Sequence, residues 1–263
     1  MDYKKTAVIS GASRGIGFNT AQLLAQQGYS VYDLSRSYKE GPFTHIPCDM
    51  KDEASVKAAF DRIEETAGGL DILICNAGYG IAGAIEDTEI SQAKEQFAVN
   101  FFGACACIKY ALPGLRKNRG RLIIVSSLAG VLPLSFQAYY SASKAALNAL
   151  ALALAAEIKP FGISVTAVLP GDAQSDFTAA RVKTSVAKSL YGPRAAHSLA
   201  IMERDEQAGL SSLYVAKKIA AIAVKKRGKL YYTIGGQYKL FYLLQKLLPL
   251  ALTRFIVDKI YAK

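Results

Sequence analysis

The sequence lacks the cysteine patterns that bind zinc or exchange thiols. Its four cysteines (Cys48, Cys75, Cys105 and Cys107) have neither zinc-site nor thioredoxin-like spacing. We therefore expect buried, reduced thiols, as in a cytoplasmic protein, and no metal site.

Long apolar runs, targeting segments and linkers are also missing. No apolar run reaches the roughly 20 residues that a transmembrane helix needs. The first residues lead directly into a strand pattern at Thr6, so we expect no signal peptide. No internal repeat, Ser/Gly linker or low-complexity segment divides the 263 residues. We predict a single domain, 1–263, with a substrate-binding loop region at 171–210 and a helical C-terminal extension at 236–263.

Acidic residues are scarce relative to basic ones. The chain has 21 Asp and Glu against 32 Lys and Arg, a formal net charge of +11. Such an excess suits an anionic ligand, an anionic membrane surface or a nucleic acid. The basic residues are scattered, and the longest cluster, 225–229, has no interleaved aromatic residues. This pattern argues against nucleic-acid binding.

Short apolar runs alternate with helical patterns along the chain. Strands are predicted at 6–10, 30–34, 44–48, 70–75, 121–126, 163–169 and 230–234. Helices are predicted from the glycine turn to Gly28 and at 54–67, 91–115, 139–160 and 211–226. This alternation predicts an α/β fold: a doubly wound parallel sheet of about seven strands with helices on both faces.

A glycine-rich turn separates the first predicted strand from the first helix. Gly11 permits a tight turn there, while Gly15 and Gly17 let the backbone approach a pyrophosphate near the helix N-terminus. A glycine turn that only packs a helix on a sheet is the alternative.

The end of the second predicted strand carries an arginine rather than an acid. In a dinucleotide-binding fold this tip faces the adenosine ribose, where an Asp would repel a 2′-phosphate. Ser35 and Arg36, with Ser13 and Arg14 of the glycine turn, suit that phosphate. Because side chains alternate along a strand, the side chain of Asp33 is predicted to point away from this ribose-facing tip. NADP(H) is therefore favoured over NAD, and the alternative is that the arginines are merely solvent-exposed.

A tyrosine and a lysine open the Ala-rich helix predicted at 139–160. Tyr140 and Lys144 are four residues apart, so they share one helical face. An ammonium beside a phenol favours the phenolate and is expected to lower the pKa of Tyr140. With the hydroxyl of Ser127 nearby, the pair suits proton transfer in alcohol–carbonyl chemistry. On its own, the pattern more often marks a solvated lysine packed on a helical tyrosine.

Together these motifs resemble the short-chain dehydrogenase/reductase family, in its shorter, NADP-preferring branch. The match covers roughly 6–175. It comprises Gly11-x-x-x-Gly15-Ile16-Gly17, Asp49, Asn76-Ala77-Gly78, Asn100, Ser127, Tyr140-x-x-x-Lys144 and Pro170-Gly171. The thirteen-residue separation of Ser127 and Tyr140 also matches and selects Ser127 over Ser126. The resemblance implies a single-domain Rossmann fold, a cytoplasmic homodimer or homotetramer, and oxidoreductase activity on a small-molecule carbonyl or alcohol.

The resemblance also implies a role for each matched residue. Tyr140 would be the general acid and base, Lys144 would lower its pKa and bind the nicotinamide ribose, and Ser127 would donate to the substrate oxygen. Asn100 would hold a water that links Lys144 to solvent. The residues expected to bind the cofactor are Gly11, Ser13, Arg14, Gly15, Ile16, Gly17, Arg36, Asp49, Asn76, Ala77, Gly78, Tyr140, Lys144, Pro170, Gly171, Ala173 and Ser175. The family usually has Asn where this sequence has Cys75, and Thr where it has Ser175.

The last third of the sequence is the least informative. Residues 171–209 show little apolar periodicity, and in the family this region is the loop over the substrate. The tail at 238–261 is rich in Leu, Phe, Tyr and Ile, and Pro249 predicts a break between two helices. Basic residues are spaced along it: Lys239, Lys246, Arg254 and Lys259.

Three interpretations of the tail remain open. It caps an apolar pocket or packs on a partner subunit, it lies on an anionic membrane as a basic amphipathic helix, or it is a solvated end. It resembles extensions in the hydroxysteroid, retinol and acyl-dihydroxyacetone-phosphate reductase branches, which favours a lipophilic ketone or secondary alcohol as substrate. Two alternative functions also stay open: an NAD-dependent alcohol dehydrogenase, and a nucleotide-binding regulatory protein without turnover.

Overall fold

Seven parallel strands form the central sheet of the computed structural model, which describes residues 4–184, 189–225 and 228–261. In chain order the strands are β1 Thr6–Ser10, β2 Ser30–Ser35, β3 Thr44–Pro47, β4 Ile72–Cys75, β5 Arg121–Val125, β6 Ser164–Pro170 and β7 Tyr231–Ile234. Their spatial order is 3-2-1-4-5-6-7. Lys226 and Arg227 of the predicted basic cluster, residues 185–188 of the predicted loop region and residues 262–263 of the predicted extension lie outside the described residues.

Helices cover both faces of the sheet, as predicted. They are α1 Gly15–Gln26, α2 Glu53–Ala67, α3 Ile90–Phe97, α4 Gly103–Asn118, α5 Ala138–Ile158, α6 Gly192–Gln207, α7 Ser212–Ala223, α8 Gly236–Leu247 and α9 Leu250–Tyr261. Most boundaries fall within a few residues of the predicted ones. The predicted α/β fold with about seven strands is therefore confirmed.

Apolar side chains of the strands alternate between two buried layers, as the period of a pleated strand requires. Val8 of β1 and Leu122 of β5 face the layer that contains α2, α4 and α5. Their neighbours Ile9 and Ile123 face the layer that contains α1 and α7. The sheet is thus buried on both sides, which is the environment in which parallel strands are stable.

The strand order reverses beside β1, and this reversal positions the site. Val8 pairs with Tyr32 of β2 on one side and with Leu73 of β4 on the other. The connections that leave the carboxyl ends of β1 and β4 run to opposite sides of the sheet, which opens a crevice between them.

One predicted helix is interrupted. Residues 91–115 were expected to form a single helix, but α3 and α4 are joined by a π-helical turn, Ala98–Phe102. A π turn inserts one extra residue per turn and is common at functional sites. Here it carries the buried side chain of Asn100.

The region predicted as a long loop contains a helix, α6, and short paired strands. Ala173–Gln174 pairs with Leu210–Ser211, and Ile81–Ala82 pairs with Val182–Lys183. The buried positions of α6 do follow a helical spacing, but several of them are small or polar: Ala195, Ser198, Met202 and Glu206. An apolar periodicity was therefore absent from the sequence, and the prediction of a loop was wrong at α6.

The tail forms two helices that separate at Pro249, as predicted. Elsewhere, no uninterrupted apolar run reaches the length of a membrane span, but helices can also be tested by their length and mean composition. By length and composition, two helical stretches in the described residues pass that test, Ile90–Asn118 and Ala138–Phe161, with mean hydropathy 1.3 and 1.2. Both include helices that cover the central sheet, α4 and α5, and core helices pass the same test.

Candidate active site

The turn after β1 is built from glycines because its neighbours leave no space for side chains. A Cβ on Gly17 would overlap the carbonyl oxygen of Gly11 and the side-chain amide of Asn76. Gly15 has a φ of +56°, and the nearest atom to a Cβ there would be Ser175 Cβ, 3.7 Å away. Gly17 thus lets α1 pack closely on the turn, while Gly15 leaves an open cradle at the N-terminus of α1.

Two polar side chains, a part-buried asparagine and a buried aspartate, hold this turn in place. Asn76 Nδ2 donates to the carbonyl oxygens of Ser10 (3.1 Å) and Gly11 (3.0 Å). Asp33 is fully buried, and its Oδ1 accepts from the backbone N–H of Ala12 at 2.8 Å. Asp33 therefore faces the interior of the turn, away from the crevice, in agreement with the strand alternation.

The β2 end of the crevice is basic. Arg14 and Arg36 are exposed and line it, together with Ser13 and Asp49. The hydroxyl of Ser35 donates to Asp33 Oδ2 at 2.6 Å. Ser35 was expected to face a phosphate, but its hydroxyl proton is already engaged inside the protein.

Tyr140, Lys144 and Ser127 meet where β5 ends and α5 begins. The ammonium of Lys144 donates to the carbonyl oxygen of Val125 at 2.9 Å, and Ser126 Oγ donates to the carbonyl oxygen of Lys144 at 3.0 Å. The hydroxyls of Ser127 and Tyr140 are hydrogen-bonded. These bonds tie the first turns of α5 to the strand end, so all three functional groups are held at one place.

Burial changes the proton affinity of both titratable groups. Tyr140 is 8% exposed, and this burial, which penalises the phenolate, raises its pKa to about 12. Lys144 is 4% exposed, and its burial lowers the pKa of the ammonium to about 8. The net shift of the Tyr140 pKa is upward because desolvation outweighs the hydrogen bond with Ser127 and the charge of Arg181, both of which lower it. A lowering of this pKa by Lys144 stays a prediction. At neutral pH Tyr140 is a phenol that can donate its proton.

Asn100, in the π turn, connects the segment after β4 to α5 by hydrogen bonds. Its Oδ1 accepts from the backbone N–H of Tyr79 at 3.0 Å, and its Nδ2 donates to the carbonyl oxygen of Tyr79 and to Ser143 Oγ at 2.9 and 3.2 Å. A Cβ on Gly78 would lie 3.1 Å from Asn100 Oδ1 and 3.6 Å from Lys144 Nζ. The amide therefore fixes the segment after β4 against α5, next to the lysine.

The segment after β6 is covered by the tail. The ring of Tyr238 lies against Gly171, where any Cβ would overlap it, and Tyr238 Oη donates to Asp172 at 3.1 Å. Ser175 Oγ accepts from the backbone N–H of Phe177 at 3.3 Å.

A buried ion pair joins the segment over Tyr140 to α6. Arg181 and Glu206 are in direct contact, and Thr178 also donates to Glu206. The ring of Phe177 lies 5.4 Å from that of Tyr140. Neither Phe177 nor Glu206 was predicted from the sequence. The helical spacing of Glu206 with the other buried positions of α6 is the signal that could have identified this residue.

One cavity of about 970 Å³ connects all these parts. Every residue expected in the site lines it, except Asn100. The basic crevice forms one end, Tyr140 and Ser127 lie between, and the other end is apolar. Tail residues dominate that apolar end: Phe241, Leu244, Leu248, Ile256, Val257 and Ile260. The tail therefore caps the cavity, one of the open interpretations.

The departure at Cys75 does not remove a group from this cavity. Its thiol is buried and lies 3.9 Å from the carbonyl oxygen of Ala104, and burial raises its pKa. The thiol therefore packs behind the site.

Comparisons with known proteins agree on one family. The model of the short chain dehydrogenase family matches residues 5–185. A probable short-chain type dehydrogenase/reductase, VdlC, of Helicobacter pylori is 35% identical, over 92% of this chain and 93% of that protein. A 3-ketodihydrosphingosine reductase of Bacteroides thetaiotaomicron is 38% identical, over 83% of both chains. A short-chain dehydrogenase of Streptomyces avermitilis has the same fold, with a TM-score of 0.84 and 24% identity, over 98% of this chain and 96% of that one.

Proposed function

The chain belongs to the short-chain dehydrogenase/reductase family of oxidoreductases, which act on CH–OH donors, and we propose that it is an NADP(H)-dependent enzyme that interconverts a lipophilic ketone and its secondary alcohol. Tyr140 is the proposed proton donor and acceptor. One observation carries the proposal: Tyr140 lies in a cavity that is basic at one end and apolar at the other.

The residues at the basic end fit a dinucleotide. The cradle at Gly15 adjoins the N-terminus of α1, where the N-cap Arg14 makes no side-chain cap hydrogen bond and the first turn has no acidic residue. A helix N-terminus of this kind attracts phosphate. When bound, the cofactor supplies or accepts a hydride at its nicotinamide.

Arginines at the β2 end favour NADP(H) over NAD. Arg14 and Arg36 line the cavity there. Asp33, the nearby acid that would repel a 2′-phosphate, is buried in the turn. Guanidinium groups bind phosphate through charge-assisted hydrogen bonds, which makes the 2′-phosphate the best partner for this surface.

The protein's own part in the reaction is to bind the carbonyl oxygen and move one proton. In the reducing direction Tyr140 Oη gives its proton to the oxygen that becomes the alcohol, and Ser127 donates a hydrogen bond to the same oxygen. Lys144 lies 5.8 Å from the centroid of the Tyr140 ring, so its ammonium stabilises the phenolate that remains. Asn100 holds the segment after β4 against α5, next to Lys144, through its hydrogen bonds to Tyr79 and Ser143. That it also holds a water that relays protons to Lys144 stays a prediction.

The apolar end of the cavity favours a lipophilic substrate. Its lining comes largely from the tail and has few charged groups near Leu244 and Ile256. The Bacteroides relative is named as a reductase of a lipid ketone, 3-ketodihydrosphingosine. This relationship supports a lipid ketone.

A cytoplasmic location and a homodimer or homotetramer complete the proposal. The four cysteines are free thiols, and three of them are buried, which supports a reducing compartment. Size-exclusion chromatography with light scattering tests the assembly.

A cofactor and substrate screen tests the activity. We expect oxidation of NADPH with ketones that carry long alkyl groups, a weaker rate with NADH, and little turnover of sugar carbonyls. Tight NADPH binding without turnover of any carbonyl would instead favour the regulatory interpretation. A preference for NADH would contradict the assignment of Arg36.

A further inference from the structure

We propose that the outer face of the tail hairpin, α8 and α9, docks on an anionic lipid bilayer. The apolar end of the cavity then opens toward the membrane. A lipid substrate could then enter the cavity directly from the bilayer. This entry route rests on the proposed function, whereas the docking itself does not.

The outer face of the hairpin is apolar. Among the described residues, twenty large hydrophobic side chains are exposed, and ten of them belong to α8 and α9 or the link between them. These are Leu240, Phe241, Leu243, Leu244, Leu247, Leu250, Leu252, Phe255, Ile256 and Ile260. At the tip, Leu247 and Leu250 are 71% and 81% exposed. Exposed apolar side chains concentrated in one short segment in this way indicate an interaction surface.

Charge decides between a bilayer and a second copy of the chain. The hairpin carries Lys239, Lys246, Arg254 and Lys259 against one acid, Asp258. Two such faces brought together would place positive charge against positive charge, which opposes a symmetric dimer through this face. An anionic bilayer provides both the apolar interior and the negative surface that this pattern needs.

The positions of the lysines suit an interface between lipid and water. Lys246 Nζ lies 4.5 Å above the Tyr242 ring, and Lys259 Nζ lies 4.9 Å above the Phe255 ring. A long cationic side chain beside an aromatic ring keeps its head at the polar surface while its stem covers apolar area. Each helix has only 12 residues. Both are therefore too short to span a bilayer and suit an in-plane orientation.

The docking face and the cavity share residues. Phe241, Leu244, Ile256 and Ile260 line the cavity and are also exposed. The hairpin is fixed to the body at both ends, because Tyr238 donates to Asp172 and Tyr261 donates to Asp205 at 3.3 Å. The face therefore has a set orientation, with the apolar end of the cavity directly behind it.

Vesicle sedimentation tests the docking. We expect the full chain to sediment with vesicles of phosphatidylcholine and phosphatidylglycerol, and to bind much less to phosphatidylcholine alone. Added salt should release part of the bound protein, because exposed charges are screened.

A matched pair of aromatic variants locates the surface. Phe255 is on the hairpin and 56% exposed. Phe161 is 44% exposed and precedes the amino end of β6, whereas the hairpin follows the carboxyl end of the parallel neighbour β7. Phe255→Glu should lower vesicle binding at least tenfold, whereas Phe161→Glu should leave it unchanged. Both sites are exposed, so circular dichroism should show both variants folded.

A second pair tests the charge. Replacing Lys246 and Lys259 by Gln should weaken binding to the anionic vesicles by roughly thirtyfold, since a cation near such a surface contributes on the order of 1 kcal/mol. Replacing Lys5 and Lys159 by Gln, which precede the amino ends of β1 and β6, should change it little.

Three results would overturn the docking: no sedimentation with anionic vesicles, equal binding of Phe255→Glu and the unchanged chain, or an oligomer that Phe255→Glu dissociates while vesicles bind nothing. The last would assign the face to a second copy. A parallel assay with a water-soluble ketone separates this proposal from the enzymatic one. Vesicle binding without ketone reduction contradicts only the proposed reaction, and reduction without vesicle binding contradicts only the docking.

Discussion

Different forces maintain the structure at each of the two ends of the cavity. At the glycine turn, polar groups with little or no solvent contact are fixed by hydrogen bonds: Ala12 N–H to Asp33 and Asn76 to the Gly11 carbonyl, at 2.8 and 3.0 Å. At the tail, apolar side chains such as Leu244 and Ile256 stay exposed, and the tail is hydrogen-bonded to the body through the hydroxyls of Tyr238 and Tyr261. Buried hydrogen bonds demand particular residue types, whereas apolar contacts accept many. The first end therefore depends on particular residues, whereas the second depends on apolar surface that many residues could supply.

The largest expected effect is at the proposed proton donor. We expect Tyr140→Phe to lower kcat by about 10²–10⁴-fold, because it removes the proton that a positioned acid contributes. Cofactor binding, measured by fluorescence, should survive. The neighbouring Tyr139 does not line the cavity, so Tyr139→Phe should keep near-normal kcat. Near-normal turnover in Tyr140→Phe would remove Tyr140 from the mechanism.

The segment over Tyr140 offers a matched pair of ion pairs to the same helix, α6. Arg181–Glu206 is buried, while Lys183–Glu203 is largely exposed on its lysine side. Glu206→Gln should lower the free energy of unfolding by about 3 kcal/mol, because it leaves a buried arginine without its counter-charge. Glu203→Gln should cost less than about 1 kcal/mol. Urea unfolding measures both, and equal costs would show that burial does not distinguish the two pairs.

A pH effect on stability should follow from the buried lysine. Lys144 has its pKa lowered from 10.5 to about 8, so between these values the unfolded chain binds the proton and the folded chain does not. Stability from this group therefore rises as the pH increases from 8 to 10.5.

Comparison with Lys144→Met isolates this contribution, since the other titrating groups are the same in both chains. Relative to the variant, the unchanged chain should gain roughly 3 kcal/mol over that range in urea unfolding. A difference that stays constant with pH would place the pKa of Lys144 near its ordinary value.

The smallest expected effect concerns cofactor choice. Arg36→Asp should weaken NADP binding by roughly tenfold or more, through loss of a charge-assisted hydrogen bond, and leave NAD binding equal or stronger. Arg62→Asp, on the exposed surface of α2, is the control. Calorimetric titration of each cofactor measures both, and tighter binding of NAD than NADP by the unchanged chain would refute the preference.

Particular residues show how far the sequence could be interpreted. The strands and the two tail helices were predictable because apolar period and Pro249 are local signals. The helix α6 was not, since its buried positions include Ser198 and Glu206. Polar residues become buried there because Glu206 pairs with Arg181, a contact between distant segments that no local pattern contains.

The candidate active site shows the same difference between local features, which were predictable, and properties that depend on distant contacts, which were not. The spacing of Ser127, Tyr140 and Lys144 pointed to one reaction centre, and the structure does bring them together at the end of β5. The net direction of the Tyr140 pKa was not predictable, because it depends on how much solvent the surrounding segments exclude. The sequence likewise left open where the tail lies, and its position over the cavity appears only in the folded chain.

The sequence by itself determined the fold class and the chemical groups at the centre of the cavity. Both depend on short-range features: apolar period in the strands, glycines in a turn, and a Tyr and a Lys one helical turn apart. Only the tertiary structure decided which groups are desolvated, which acids are already paired, and which apolar surface covers the cavity. Those properties arise from contacts between residues far apart in the chain, such as Tyr238 with Asp172. They exist only once the chain has folded.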